Sequence, residues 1–354
     1  MSSAPARTPR HRARATRRAL LLTTATSGLL GIVVAGASPA HAGTKPDFCD
    51  HDQRTAPMVY LCAKPGDIVD VRIGDVHPTQ PSLGYDEVNY KLGRYTLSKD
   101  TINKKFADWC EASGLLDAVA AQPDARLDDP SSFTCALQPG QETAAARALM
   151  KTVVIGAGGS LWLTDGHHTL TSFAEMPDGG MDAHVRLLVA GNLSRLTRQD
   201  FWTAMKANKW VWLEDPAGQP VGVNKLPNTV GLANFANDPG RSLLYFARDI
   251  GYSAGTVPFQ EFYWGAWLRT TTPVDLSGWN PDDAASYLDA VTRTAYAQVA
   301  LAKDGQVYGG FSAADLGALP AVNTKELAKL AKPLSDAKPG KIAYMEAYKA
   351  PLAH

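Results

Sequence analysis

The sequence predicts an α+β fold, with strands and helices alternating about one turn and a mainly helical region after it. Three observations lead there. Val153–Ile155 and Leu161–Leu163 are apolar runs separated by Gly156-Ala157-Gly158-Gly159-Ser160, the pattern of a hairpin. The second run enters Asp165-Gly166-His167-His168-Thr169, after which Leu170, Phe173 and Ala174 recur at helical spacing. Beyond about Pro216 the chain becomes aromatic and helical, with Trp264 and Trp267 three residues apart.

In chain order, residues 1–42 carry arginines 7, 10, 12, 14, 17 and 18 and no acidic residue. An apolar run from Ala19 to about Ala35 and then Ala40-His41-Ala42 follow, which predicts a secretory signal peptide cleaved before Gly43. Arg17-Arg18 directly before the apolar run is the arrangement of a twin-arginine export signal. The expected location is therefore secreted or extracellular, with no stable membrane insertion once the leader is removed, because the run is short and rich in Thr, Ser and Gly.

The whole chain holds 35 basic and 35 acidic residues; without the six leader arginines it holds 29 against 35, a formal −6. Such a chain lacks the broad basic field that non-specific nucleic-acid binding requires. All four cysteines, Cys49, Cys62, Cys110 and Cys135, lie after the leader, and none forms a C-x-x-C pair. An even count in an exported chain points to disulfides. Of the three pairings that four cysteines allow, Cys49–Cys62 with Cys110–Cys135 is favoured, because each closes a short local loop.

Residues 43–64 read as a disulfide-tied segment in which Met58–Cys62 could be an edge strand. Asp67–Ile73 alternates apolar and polar residues with period two, a half-buried strand. The prolines of His77–Gly84 forbid helix and force a shaped loop. Ser98-Lys99-Asp100 offers capping chemistry for a helix carrying Phe106 and Trp109 toward the core, 122–139 is loop-rich, and 143–151 is a short alanine-dense helix. The glycine run 156–159 precedes no Lys-Ser or Lys-Thr and is a turn, not a P-loop. His184–Ala190 is a buried strand, Thr197 caps a helix with Phe201, Trp202 and Met205, and Trp210–Leu213 returns as a strand. Helices are expected over 239–250 and 259–269, from a start at Asn280-Pro281-Asp282-Asp283, and over 324–330. The chain thus divides into a leader (1–42), the tied segment (43–64), a main domain (65–270), a helical extension (271–335) and a tail (336–354).

A strand-to-helix junction presents unpaired backbone N–H groups and the positive end of a helix dipole, so the Asp165–Thr169 turn is a candidate anion site. Val71-Arg72-Ile73 leading into His77-Pro78-Thr79-Gln80-Pro81, with Asp165-Gly166-His167-His168 some 80 residues on, resembles the ParB/sulfiredoxin superfamily and within it the ParB-like nuclease family. The likeness spans about 65–270 and includes Arg241-Ser242-Leu243 and Glu261-Phe262-Tyr263-Trp264. It implies a small mixed sheet with helices, in which the motif opens a helix that holds nucleotide phosphates.

The same resemblance assigns roles. Gly166 and Thr169, with Gln80, would bind phosphate; His167 or His168 would be a general acid or electrostatic partner; Asp165 would orient a histidine or a metal. Two departures matter. Free-serine kinases of this fold follow the two histidines with arginine, where this chain has Thr169, and they carry a catalytic glutamate where it has Gln80. A Gln cannot act as a base. The sulfiredoxin cysteine is replaced by His167, which argues against sulfinic-acid reduction.

A divalent metal is a candidate cofactor through Asp165, His168 and His77 or His184, although adjacent histidines diverge and no recognised ligand spacing is present. Glu87 is the nearest carboxylate base after the loop, weighed against an ordinary solvated acid. The leading expectation is an exported nuclease or phosphoesterase acting on a phosphate-containing small molecule or nucleic acid. A nucleotide-dependent phosphotransferase and a non-catalytic extracellular ligand-binding module are the alternatives.

Overall fold

A computed structural model describes Cys49 and residues 58–97, 99–271 and 274–350. The expected leader, with the export signal and cleavage point read in it, lies outside the described residues, as does Ser98.

In chain order the strands are β1 (Ile68–Arg72), β2 (Val76–Pro78), β3 (Ser82–Leu83), β4 (Ala118–Ala121), β5 (Phe133–Cys135), β6 (Thr152–Ile155), β7 (Leu161–Leu163), β8 (His184–Asn192), β9 (Ala236–Asn237), β10 (Gln306–Tyr308) and β11 (Phe311–Ser312). The helices are α1 (Met58–Cys62), α2 (Tyr85–Thr96), α3 (Lys104–Ala112), α4 (Ala144–Arg147), α5 (His167–Glu175), α6 (Arg198–Ala207), α7 (Pro239–Ala247), α8 (Gln260–Thr270), α9 (Ala284–Val299), α10 (Thr324–Leu330) and α11 (Lys341–Lys349).

The fold is α+β. A five-stranded mixed sheet runs β1-β8-β6-β7-β2, with β1/β8 and β6/β7 antiparallel and β6/β8 and β2/β7 parallel. Period-two patterning builds it: Val185, Leu187 and Val189 of β8 are buried while Arg186, Leu188 and Ala190 are half-buried. Below the sheet Leu170 and Phe173 of α5 join Val71, Val153 and Leu163 in one core. A second core lies among α7, α8, α9 and α11, where Trp264, Trp267, Tyr287 and Met345 are buried. The two tryptophans of α8 are therefore packing residues. Helix α2 touches α5 and α7 as well as α11, and so joins the sheet to the helical region.

Both favoured disulfides are present, Cys49–Cys62 and Cys110–Cys135. Several local expectations change. Met58–Cys62 is helix, because so short an apolar run carries no decisive period. Helix α3 is capped five residues later than read, by Asn103, whose side chain accepts from the Lys105 N–H. The extended 210–213 segment forms no strand; its Trp212 N–H donates to the Thr79 carbonyl instead. Asn280 closes a local turn by accepting from the Asp282 N–H, and Asp283 caps α9. The stretch read as a tail holds α11, which lies along α2. Among the described residues no helix is long and apolar enough to cross a membrane.

Candidate functional site

The β6–β7 hairpin delivers the motif as its sequence dictates. Gly156 and Gly159 close the turn, and β7 ends at Leu163. Gly166 then adopts φ 101°, a left-handed conformation that glycine alone takes without strain. An added Cβ there would also stand 2.6 Å from Lys151 Cγ. Helix α5 begins at the next residue with no side-chain cap, and its first backbone bond runs from the Leu170 N–H to the Gly166 carbonyl. The N–H groups of His167, His168 and Thr169 precede that bond and have no partner within the helix.

The two histidines are buried and spent on the backbone. Nε2 of His167 accepts from the Thr79 N–H at 3.1 Å, while the Thr79 hydroxyl donates to the Leu163 carbonyl. Nε2 of His168 accepts from the Gly84 N–H at 3.1 Å. An N–H can only donate, so in both rings Nε2 is the unprotonated nitrogen. Burial lowers His167 to about 3. It also holds His168 well below its ordinary range, with the Arg241 and His167 charges adding to the effect. His168 Nε2 lies 3.6 Å from Glu87 Oε2, but with that nitrogen neutral the contact is no ion pair. Together the rings staple the start of α5 to the 79–84 loop. Neither ring is an imidazolium at neutral pH: its one proton sits on Nδ1, and Nε2 has none to give.

Asp165 is exposed and pairs with Lys151 at 3.4 Å, not with either imidazole. Gln80 is buried, its amide nitrogen donating to the Ser82 carbonyl at 2.7 Å. Thr169 is buried on the first turn of α5. All of these line one cavity of about 310 Å³. His77 and His184 do not. His77 bonds the Asn228 carbonyl and stacks on Trp162, and His184 pairs with Asp70 at the start of β8. The metal set weighed from the sequence is thus not brought together, and among the described residues no group of three or more His, Cys, Asp or Glu is placed to hold a metal ion.

The rest of the wall comes from α2, α7 and α8, whose Glu87, Arg241 and Glu261 the sequence names without giving Arg241 or Glu261 a role. Glu87, on the first turn of α2, is buried in the cavity wall, which overturns the solvated-acid reading. Gly84 makes that placement possible, because any Cβ there would stand 2.7 Å from the Ser242 backbone nitrogen. Arg241 sits on the first turn of α7, held by the Asp238 cap, which accepts from its N–H at 2.9 Å. Its side chain is 7% exposed. Nη2 faces Glu261 Oε2 at 3.7 Å, and Glu261 is shared with Arg248. Burial alone would raise Glu261, but the two guanidiniums outweigh it and hold the carboxyl far below its usual range.

What remains unpaired is specific. Arg241 Nε and Nη1, Arg248 Nε and Glu87 Oε2 are buried without a hydrogen-bond partner. Nη1 is nevertheless ion-paired with Glu87 Oε2 at 3.1 Å, so of these atoms only the two Nε groups lack both a hydrogen bond and an ion pair. Buried donors without an acceptor cost about 1–3 kcal/mol each, so these Nε groups suit a water or a ligand acceptor. Four cations and five carboxylates line the cavity, so total charge selects no ligand. The distribution does. Asp108 is held by Lys91 and Lys104, Asp165 by Lys151 and Glu261 by the two arginines. Glu87 is held by Arg241, and both arginines line the same cavity as the bare start of α5.

An α+β protein with a mixed sheet and an Asp-Gly-His-His turn opening a helix over a polar cavity is of the ParB-like class. The chain belongs to the family described as "Putative ParB-like nuclease", which it matches over residues 69–270, more than half its length. No curated protein matches the chain. Among solved structures, protein Atu1540 from Agrobacterium tumefaciens is similar at 18% identity, with a TM-score of 0.43, covering 66% of this chain and 93% of its own.

Proposed function

We propose that the protein is an exported phosphoester hydrolase that holds a phosphate between the first turn of α5 and Arg241. The observation that carries this reading is the buried Arg241 guanidinium, its Nε without a partner, lining the motif cavity. A phosphate oxygen is the natural acceptor for a guanidinium N–H. The N–H groups of α5 supply the second side of the cradle. Family membership supports a nuclease-type reaction in the same direction. The leader-like 1–42 segment and the two disulfides support export, and water is the abundant acceptor outside the cell.

In this reading Glu87 is the general base. Its carboxylate takes a proton from water, the water oxygen bonds to phosphorus, the P–O ester bond breaks, and the leaving oxygen takes a proton from solvent. Arg241 and the α5 N–H groups stabilise the charge that builds on the phosphoryl oxygens. His167 and His168 act as positioning residues, and Gln80 shapes the loop that they hold.

The test is phosphate release from p-nitrophenyl phosphate and from oligonucleotides by wild type and Arg241→Gln. A drop of about 10²–10³-fold in the variant is expected. Equal rates in the two proteins would show that any activity arises elsewhere.

A further inference from the structure

Resting on the phosphate cradle just proposed, we infer that the site takes a terminal phosphate, a phosphomonoester borne by a small molecule, and not the phosphodiester backbone of a polynucleotide. The argument begins with depth. The guanidinium that would grip the anion belongs to a side chain only 7% exposed, which lines a cavity of about 310 Å³. A terminal phosphate has one ester arm and three free oxygens, so it can be pushed in head first with the arm trailing toward the opening. An internal phosphodiester has two arms and two free oxygens, and the backbone on both sides would have to enter with it. On a duplex the phosphates lie on a convex surface, out of reach of a recessed guanidinium.

The donor set fits the same choice. Arg241 offers its guanidinium, with Nε unpartnered, and α5 offers its first-turn N–H groups to the same cavity. Three free oxygens can engage both together, whereas a diester has only two to share. The buried Arg248 Nε adds a further unpaired donor beside Arg241.

Charge points the same way. Residues 43–354 carry 29 basic against 35 acidic side chains. Polynucleotide binding draws on many phosphate contacts along a basic surface. A monoester needs only the local cradle.

The experiment measures binding of orthophosphate, phenyl phosphate, diphenyl phosphate and a single-stranded 12-mer to the wild-type chain, by calorimetry and by ligand-induced rise in melting temperature. Hydrolysis of p-nitrophenyl phosphate is compared with that of its bis-ester. Thr169→Glu provides a variant expected to fold, since an acid in the first turn suits a helix start, yet it places a carboxylate inside the cavity. Orthophosphate and the monoester are expected to bind at least about 100-fold more tightly than the diester and the 12-mer, with that binding lost in Thr169→Glu. Diester or 12-mer bound or cleaved as well as the monoester, and lost in Thr169→Glu, overturns the inference while leaving the hydrolase reading intact. Tight, Thr169→Glu-sensitive phosphate binding with no turnover of any ester sinks the hydrolase reading and leaves the ligand class standing. No binding of orthophosphate or monoester at millimolar concentration overturns the inference, as does binding that Thr169→Glu leaves unchanged.

Discussion

The two walls of the cavity differ in how they use their hydrogen bonds. On the motif side both histidines are saturated: each Nε2 is already committed to a backbone N–H, and burial keeps the rings neutral. On the α2/α7 side Arg241 and Glu87 are just as buried and ion-paired with each other, yet Arg241 Nε has no partner. Committed groups fix geometry, and an uncommitted donor suits a ligand. The contrast places the chemistry on Arg241 and on Glu87, which stands 3.6 Å from His168, and not on the histidines.

The largest effect that would break this contrast is at Glu87. Replacing it by Gln keeps its size while removing the base, so turnover is expected to fall about 10²–10⁴-fold with orthophosphate affinity little changed. Parallel loss of kcat and of phosphate affinity would mean that Glu87 only holds Arg241 in place.

Next come the staples. His168→Asn leaves the Gly84 N–H without its acceptor, and His167→Asn does the same to Thr79. Each is expected to cost about 1–3 kcal/mol in urea unfolding. Activity should fall through loosened geometry, yet the shape of its pH profile between 5 and 8 should not change. A lost basic or acidic limb in either variant would restore an acid–base role to that ring.

The same burial gives stability a pH dependence. The unfolded chain protonates the His167 imidazole near pH 6.5, as a free histidine does, whereas the folded protein does so only at about 3. Folding therefore excludes a proton, and stability falls as pH drops from about 6.5 toward 3. His167→Asn should flatten that slope, measured as melting temperature against pH. An unaltered slope would mean the ring is not buried neutral.

How far these walls were legible in the sequence follows the same divide. The hairpin, the Asp-Gly turn and the strand 184–192 are local, and each is marked by apolar period or by glycine. The motif side of the site was therefore readable, down to Gly166. Arg241 and Glu87 are 154 residues apart and meet only because α2 and α7 pack where Gly84 allows contact with Ser242. No spacing rule reports such a meeting. Helix α2 itself left a signal that could have been used: Val88, Leu92 and Tyr95 fall on one face behind the acids Asp86 and Glu87. Helix α11 was hidden by its Lys/Pro-containing approach, and only its packing on α2 gives it meaning.

That packing supplies the smallest predicted effect. Lys349 of α11 pairs with Asp86 at 3.2 Å and Asp282 at 2.6 Å, bracing the turn of α2 that carries Glu87. The pairs are partly exposed, so Lys349→Ala is expected to cost only about 0.5–1 kcal/mol in urea unfolding. A much larger loss, or a loss of activity without loss of stability, would give α11 a direct part in the site.

The central claim is that the Arg241 guanidinium and the first turn of α5 hold a phosphate. A crystal of the protein soaked with orthophosphate tests it most directly. The account predicts an anion within about 2.7–3.2 Å of Arg241 Nε or Nη1 and of a first-turn N–H of α5. An anion bound elsewhere, or an empty cavity at saturating phosphate, would contradict it.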